Sequence, residues 1–489
     1  MPAFLKFIII CLEVILIFNL LIVVHELGHF LAAKWRGLVV EKFAIWFGKP
    51  LWSKTIGGVE YRLGSIPAGG FVAIPQLAPM EAVEGGSKAD RASLPPVKPL
   101  DKIIVAFAGP LFSLGLAFVF AVLVFFIGRP VSEGEMGTTI GYVLPDGPAA
   151  EAGLLAGDKI LSVNNHPVSR FSAMGDVGES IIWNIATSEA PLIPIEVERD
   201  GATKTFEVAP ITPERSGWGR KRLRQIGIAP RETPVIARII ANSPAATAGL
   251  KPQDEVTAVD GKPLLSMGDL AEYLDKFKGK AIALTVVRQE QGKTVTRDIT
   301  VTPKIPEGET RPRIGIQWDT AGKTVLTHPN PISQVIGGIT TMWATISAVV
   351  SPKSEINISH LSGPVGIMRL YYVLFESPNG WRSAIWFSVI LNVNLAILNL
   401  LPFPVLDGGH ITLAIIEAIR RKPISIRVLE IVQTAFALLL ISFMIYVTFY
   451  DVLDLPFFGK SASGGEVPEM HFEPDAGSPA PSATPQSHP

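Results

Sequence analysis

His25-Glu26-Leu27-Gly28-His29 sets two imidazoles four residues apart with a carboxylate between them. On a helix that spacing puts His25 and His29 on one face, one turn apart. Such a pair can grip one zinc ion, and Glu26 can act as base toward a water held there. Two histidines leave a catalytic zinc one protein ligand short. The best donor lies far along the chain, in Asn399-Leu400-Leu401-Pro402-Phe403-Pro404-Val405-Leu406-Asp407-Gly408-Gly409-His410. Pro402 and Pro404 break a helix and free backbone to place the Asp407 carboxylate, and Gly408 and Gly409 allow a tight turn. Asp407 is the expected third ligand. His410 competes for that place, and an N-cap of the segment starting near Gly409 is the other use of Asp407.

The elements that carry these residues are apolar. Residues 3–33 read AFLKFIIICLEVILIFNLLIVVHELGHFLAA, longer than the roughly 20 residues a bilayer crossing needs. Two His and a Glu near such a helix end could be interfacial polar residues only. Ionisable groups at membrane depth are costly, however, and usually functional. Glu13 and Asn19 of the same run are given no role. The stretch is too long for a signal peptide and lacks a small-residue cleavage pattern.

The whole chain of 489 residues is 48% hydrophobic, with a mean hydropathy of +0.35. That places part of it in lipid and predicts more than one domain. A net charge of −1 argues against a nucleic-acid or acidic-substrate partner. Cys11 is the single cysteine, so no disulfide forms within the chain and any outer domain folds on core packing alone.

Four spans are expected, at about 3–27, 101–127, 383–401 and 428–449. Residues 332–350 are apolar but rich in Gly, Thr and Ser, and read as a surface-lying amphipathic helix. Lys34, Arg36, Lys42, Lys49 and Lys54 follow the first span, and Arg420, Arg421, Lys422 and Arg427 separate the last two. The positive-inside rule puts both basic loops in the cytoplasm, with both termini and residues 130–380 outside. Span three then ends on the cytoplasmic side, where Asp407 can meet His25 and His29 at one depth. Residues 55–74 alternate like strands broken by glycines and predict a hairpin dipping toward the membrane, buried in protein or lining a wet cavity. Residues 75–99 read as a flexible loop and 460–489 as a disordered tail.

The middle contains a repeat. LPDGPAAEAGLLAGDKILSVNNHPV (144–168) matches IANSPAATAGLKPQDEVTAVDGKPL (240–264), so Pro148 aligns with Pro244, Gly153 with Gly249 and Asp158 with Asp254. A repeat of this length means duplicated domains, not a solenoid. The pattern resembles bacterial PDZ domains, β-rich modules that bind extended peptides by adding a strand to a sheet edge. Gln253 stands where the first copy has Gly157, which predicts a different turn there.

HELGH in the first span, GSIPAGGFV after it, AGP in the second span and NLLPFPVLDGGH at the end of the third together resemble the site-2 protease family of intramembrane zinc proteases. Two PDZ domains between spans two and three resemble its bacterial regulator-of-sigma-E branch. The resemblance covers everything but the 75–99 loop and the tail. It implies an α-helical polytopic membrane protein of about four spans, with a membrane-associated β-hairpin and two tandem PDZ domains. It implies that His25, His29 and Asp407 bind Zn2+, that Glu26 is the catalytic base, and that Asn394 and Asn399 help hold the substrate. Gly69 and Gly70 of the hairpin are expected to position substrate too. The family often carries Asn in a GPxxN pattern where this chain has Ser113, a departure touching packing or substrate contact rather than the chemistry.

The expected domains are 1–130 (two spans, HExxH and the membrane-associated loop), 131–222 (first PDZ), 223–305 (second PDZ), 306–380 (connector with amphipathic helix), 381–455 (last two spans with the LDG motif) and 456–489 (tail). The expected function is zinc-dependent endoproteolysis within the inner membrane of a bacterium, with the PDZ pair in the periplasm. Its partners are a single-span membrane protein of anti-sigma-factor type already cut outside, remnant signal peptides, the lipid bilayer, and peptide termini at the PDZ domains. A catalytically idle PDZ scaffold is the alternative, opposed by the intact metal triad and Glu26. A zinc transporter would need a polar path across the spans, and spans two and four have almost no polar residues.

Overall fold

The computed structural model describes residues 3–77, 94–95, 97–214, 219–277, 279–319, 322–377, 379–421 and 426–455. Most of the 75–99 loop and all of the 456–489 tail lie outside these residues.

The apolar N-terminal run forms helix α1 (Ala3–Trp35). A helix satisfies its own backbone groups, which hydrocarbon cannot do. Four strands follow: β1 (Lys42–Phe47), β2 (Trp52–Ile56), β3 (Val59–Leu63) and β4 (Ile66–Ala73), ordered β2-β3-β1-β4. The hairpin expected over 55–74 is thus a wider sheet, because β1 inserts between β3 and β4, parallel to the first and antiparallel to the second. β4 is left at the edge. Register shifts between Ile45 and Phe47, where Trp46 adopts φ 69°. The Trp46 indole donates to the side-chain oxygen of Asn19 on α1, which fastens the sheet to the helix.

Helix α2 (Pro99–Ile127) starts with Pro99, whose missing N–H costs nothing in a first turn, and stops at Gly128 with φ 73°. β5 (Arg129–Ser132) then leads into the β-rich middle. Strands β6 (Ile140–Val143), β7 (Lys159–Val163), β8 (His166–Pro167), β9 (Ile193–Arg199), β10 (Ala202–Val208) and β11 (Ile228–Pro230) and helix α3 (Ile181–Thr187) make the first unit. Its sheets are ordered β10-β9-β7-β8 and β11-β6. The second unit repeats this with β12 (Ile236–Ile239), β13 (Glu255–Val259), β14 (Lys262–Pro263), helix α4 (Met267–Lys276), β15 (Ile282–Glu290), β16 (Lys293–Val301) and β17 (Ile316–Trp318), ordered β14-β13-β15-β16 and β12-β17.

Each unit closes on its own core. Ile140, Ile160, Ile181, Ile195 and Ile226 pack together in the first, and Ile236, Val256, Leu270, Leu284 and Ile314 in the second. Residues 223–230, expected to open the second unit, therefore close the first: Ile226 is in its core and β11 pairs with β6. Likewise Ile314 and β17, expected in the connector, complete the second unit. The repeat extends to single bonds. Asp158 accepts from the Leu155 N–H and from Arg199, and Asp254 accepts from the Lys251 N–H and from Arg288. The turn at Gln253 does not differ: Gln253 takes φ 69° where Gly157 has 97°, and its N–H reaches Ile236 O as that of Gly157 reaches Ile140 O.

β18 (Thr324–Thr327) returns to pair with β5, so entry to and exit from the two units lie side by side. Helices α5 (Pro331–Val350), α6 (Pro364–Glu376), α7 (Gly380–Asn399), α8 (Asp407–Arg420) and α9 (Ile426–Leu453) complete the chain. Among the described residues, α1, α2, α5, α7 and α9 have the length and apolarity to cross a membrane, so α5 meets that criterion although its sequence reads as surface-lying. One face of α5 is buried, with Gly338 against Val393 of α7, while Ile332, Ile336 and Trp343 on the other are exposed. The Thr341 hydroxyl accepts from the Asp176 and Val177 N–H groups of the first β unit. α2 lies at the centre, packed on α1, α7 and α8, with Leu21, Ala117, Ala121, Val389 and Val393 in the seam.

Candidate metal centre and active-site cavity

His25 and His29 face α2 and α8 from the last third of α1. Gly28, between them, touches α2 so closely that a methyl group there would lie 2.4 Å from the Ala108 carbonyl oxygen. Asp407 reaches the same point from the first turn of α8. The side chain of Asp407 caps no helix, so the N-cap use is not realised. Gly408 and Gly409 make the turn possible, since a Cβ on either would fall 2.2 or 2.1 Å from the carbonyl oxygens of Leu400 and Phe403.

Two imidazole nitrogens and both oxygens of one carboxylate converge. His25 Nε2 is 3.2 Å from Asp407 Oδ2, His29 Nε2 is 3.4 Å from Asp407 Oδ1, and the two Nε2 atoms are 3.3 Å apart. Ligands about 2.0–2.1 Å from a tetrahedral zinc stand about 3.3 Å from one another, so two nitrogens at that spacing, with one carboxylate oxygen close to each, suit such a site. Asp407 Oδ2 is buried with no hydrogen-bond donor, which a cation would remedy. These three residues are the one group of His, Cys, Asp or Glu among the described residues whose atoms lie close enough to share a metal. His410 is outside the group and lines the cavity beside it.

Both rings are oriented by α2. His29 Nδ1 donates to the Val105 carbonyl at 2.8 Å, which leaves its Nε2 lone pair free. His25 Nδ1 is 3.0 Å from the Ser113 hydroxyl. Gly109, midway, leaves the rings their room: a Cβ there would sit 2.2 Å from His29 Nε2. Val105, Gly109 and Ser113 recur every four residues, the spacing of the two histidines. That match was the available signal for this supporting face, and it is legible only once α1 and α2 are known to touch.

A cavity of about 380 Å3 opens on this cluster, with Glu26, Gly69, Gly70, Phe71, Asn399 and His410 in its wall. The Asn399 amide is 3.5 Å from His25 Nε2. Asn394 is absent from that wall, and its side-chain oxygen is buried without a partner. Gly70 lets β4 press on α1, since a Cβ there would be 3.2 Å from Ile22 and 3.3 Å from Glu26. Sequence reading missed Lys102 and Glu417, which form a 2.6 Å ion pair between α2 and α8 in the cavity wall.

A helical membrane protein with a His2Asp cluster and a neighbouring glutamate has the parts of an intramembrane metallopeptidase, and the comparisons agree. Residues 13–443 match the model of Peptidase family M50, and the chain belongs to that site-2 protease family. It is 34% identical over 458 residues to the protein named "Putative zinc metalloprotease" of Neisseria meningitidis serogroup A, covering 89% of this chain and 97% of that one. It is 29% identical over 464 residues to the regulator of sigma-E protease RseP of Escherichia coli K12, covering 88% and 96%. Among solved structures, the PDZ domain of the SdrC-like protein of Listeria monocytogenes aligns with 18% of this chain and 87% of its own at 20% identity, with a TM-score of 0.16, too low to bear on the fold. The chain is a site-2 type zinc metalloprotease.

Proposed function

We propose that this enzyme cuts single-span membrane proteins of anti-sigma-factor type within the inner membrane of a bacterium, after a first cut outside, and clears remnant signal peptides. The observation that carries this reading is the convergence of His25, His29 and the Asp407 carboxylate, at separations of 3.2 to 3.4 Å, on a cavity that also contains Glu26.

His25, His29 and Asp407 would hold the zinc ion, which would supply acidification of a water and polarisation of the scissile carbonyl. Glu26 takes the water's proton and passes it to the leaving amine. Asn399, at the edge of the cluster, donates to the carbonyl oxygen as charge gathers on it. A substrate helix has its backbone bonds closed and must unwind before attack. The free edge of β4, at Gly69 and Gly70, offers it a strand partner that replaces the lost bonds. The α2–α8 side of the cavity, braced by Lys102 and Glu417, is the cytoplasmic side, and α5 lies at the outer surface, its middle bonded to the first β unit. Four helices then span the bilayer. The two β units are PDZ domains in the periplasm that bind peptide ends and admit only trimmed substrates.

The test is paired. In the purified chain Glu26→Gln should retain zinc and stop cleavage of a tagged single-span substrate, whereas Asp407→Ala should lose both and His410→Ala should keep the metal. Cleavage by Glu26→Gln at the native rate would end the assignment of the base, and zinc retained by Asp407→Ala but not His410→Ala would end that of the third ligand.

A further inference from the structure

Ser113 is wholly buried between α1 and α2, and its hydroxyl meets His25 Nδ1 at 3.0 Å. His25 can offer Nε2 to a cation only while Nδ1 carries the proton. In that tautomer Nδ1 donates and the serine oxygen accepts. One helical turn away His29 is held in the same tautomer by the Val105 carbonyl, which can only accept. The two rings differ in one respect. The partner of His29 is backbone and no substitution removes it, whereas the partner of His25 is a side chain.

We infer that Ser113 is a positioning residue for the metal centre: its hydroxyl fixes the tautomer and ring plane of His25 and thereby sets how tightly the chain holds zinc. This rests on His25, His29 and Asp407 being the ligands. Outer partners of metal-bound histidines are typically worth about 10–100-fold in metal affinity. Ser113 is not among the residues of the cavity wall, so its loss should appear in metal retention first and in turnover only when zinc is scarce.

The measurement is zinc affinity of the full-length chain in detergent, by competition with a chromophoric chelator. Ser113→Thr and Ser113→Val have the same shape and differ only in the hydroxyl, so packing is matched between them. Thr should bind zinc at least tenfold more tightly than Val, with Ser113→Ala about as weak as Val. Equal affinities for Thr and Val overturn the inference, because the loss would then follow volume rather than the hydrogen bond. Should both branched variants fail to fold, Ser113→Ala against the native chain decides, and native affinity in Ala overturns it. His25→Ala separates the two layers of the reasoning. If it loses zinc while Ser113→Ala does not, the ligand set stands and the role of Ser113 falls. If it keeps zinc, the ligand set itself is wrong.

Discussion

At the scale of residues, the chemistry depends on absent side chains as much as on present ones. Gly28 lets α1 meet α2, and Gly109 clears the volume that the His29 ring fills. A methyl group at 109 would stand 2.2 Å from His29 Nε2, the atom that would face a metal, and the Val105 bond prevents the ring from swinging aside. Gly109→Ala is therefore expected to cost the chain its zinc while leaving it extractable and helical. Zinc content by mass spectrometry beside far-UV circular dichroism checks this, and a fully zinc-loaded Ala variant would refute it. Glu232 shows the cost of a half-buried charge. It lies where the chain crosses from the first β unit to the second, and burial, with the Glu133 charge next in weight, raises its carboxyl above the usual 4.5. The folded state then binds that proton more tightly than the unfolded state does. Its contribution favours folding fully below 4.5 and is lost as pH rises through the higher folded value. Glu232→Gln should raise the melting temperature at neutral pH, and the gain should vanish in acid. A variant less stable than the native chain at neutral pH would contradict this.

At the scale of elements, β4 matters most. Its edge faces the cavity because β1 occupies its other side and α1 supports it through Trp46 and Asn19. Gly69 holds φ 75° against the Phe47 ring, where a Cβ would come within 1.9 Å of a ring carbon. Gly69→Ala must therefore move the strand or the ring. Displacement of a positioning element by about 1 Å can cost 10²-fold in rate. The variant should keep its zinc and cleave on the order of 10²-fold more slowly. Native cleavage would show that the strand does not position substrate. α2 is the other decisive element, since one face of it supplies both ring partners and the clearance between them.

At the scale of the molecule, the chain enters and leaves the two β units at one point. β5 and β18 pair as entry and exit, and the Glu133 carboxylate, just beyond β5, accepts from Thr233 at the crossing between the units. Arg220, near the end of the first unit, also bonds to Asp451 of α9, whose carboxylate accepts from the Gly363 and Gly366 N–H groups at the start of α6. A clean removal of both units should thus cut after Ser132 and before Thr324, keeping the two-stranded clasp. If the units exclude bulky substrates, the shortened chain should cleave ones that retain a large outer domain, as well as trimmed ones. If it loses trimmed substrates and still spares intact ones, the units recruit rather than filter. Immunoblotting of both substrate forms in one strain distinguishes the outcomes.

What the sequence determined by itself is what is local or repeated. The i, i+4 histidines sit in an apolar run, the proline and glycine pattern around Asp407 marks a broken helix, and the 96-residue offset between Asp158 and Asp254 reveals two like units. Each is a statement about neighbours along the chain or about self-similarity, and each can be read without coordinates. The tertiary structure decided which distant atoms meet. Ser113 read as a departure from a pattern until α2 was laid against α1. Asn394 and Asn399 read alike until helix phase put one in the cavity wall and left the other out of it. Residues 223–230 read as the start of a unit until β11 paired back with β6. Strand partners, helix faces and hydrogen bonds across helices depend on packing between segments tens to hundreds of residues apart, and no pattern within one segment encodes the choice of its partner.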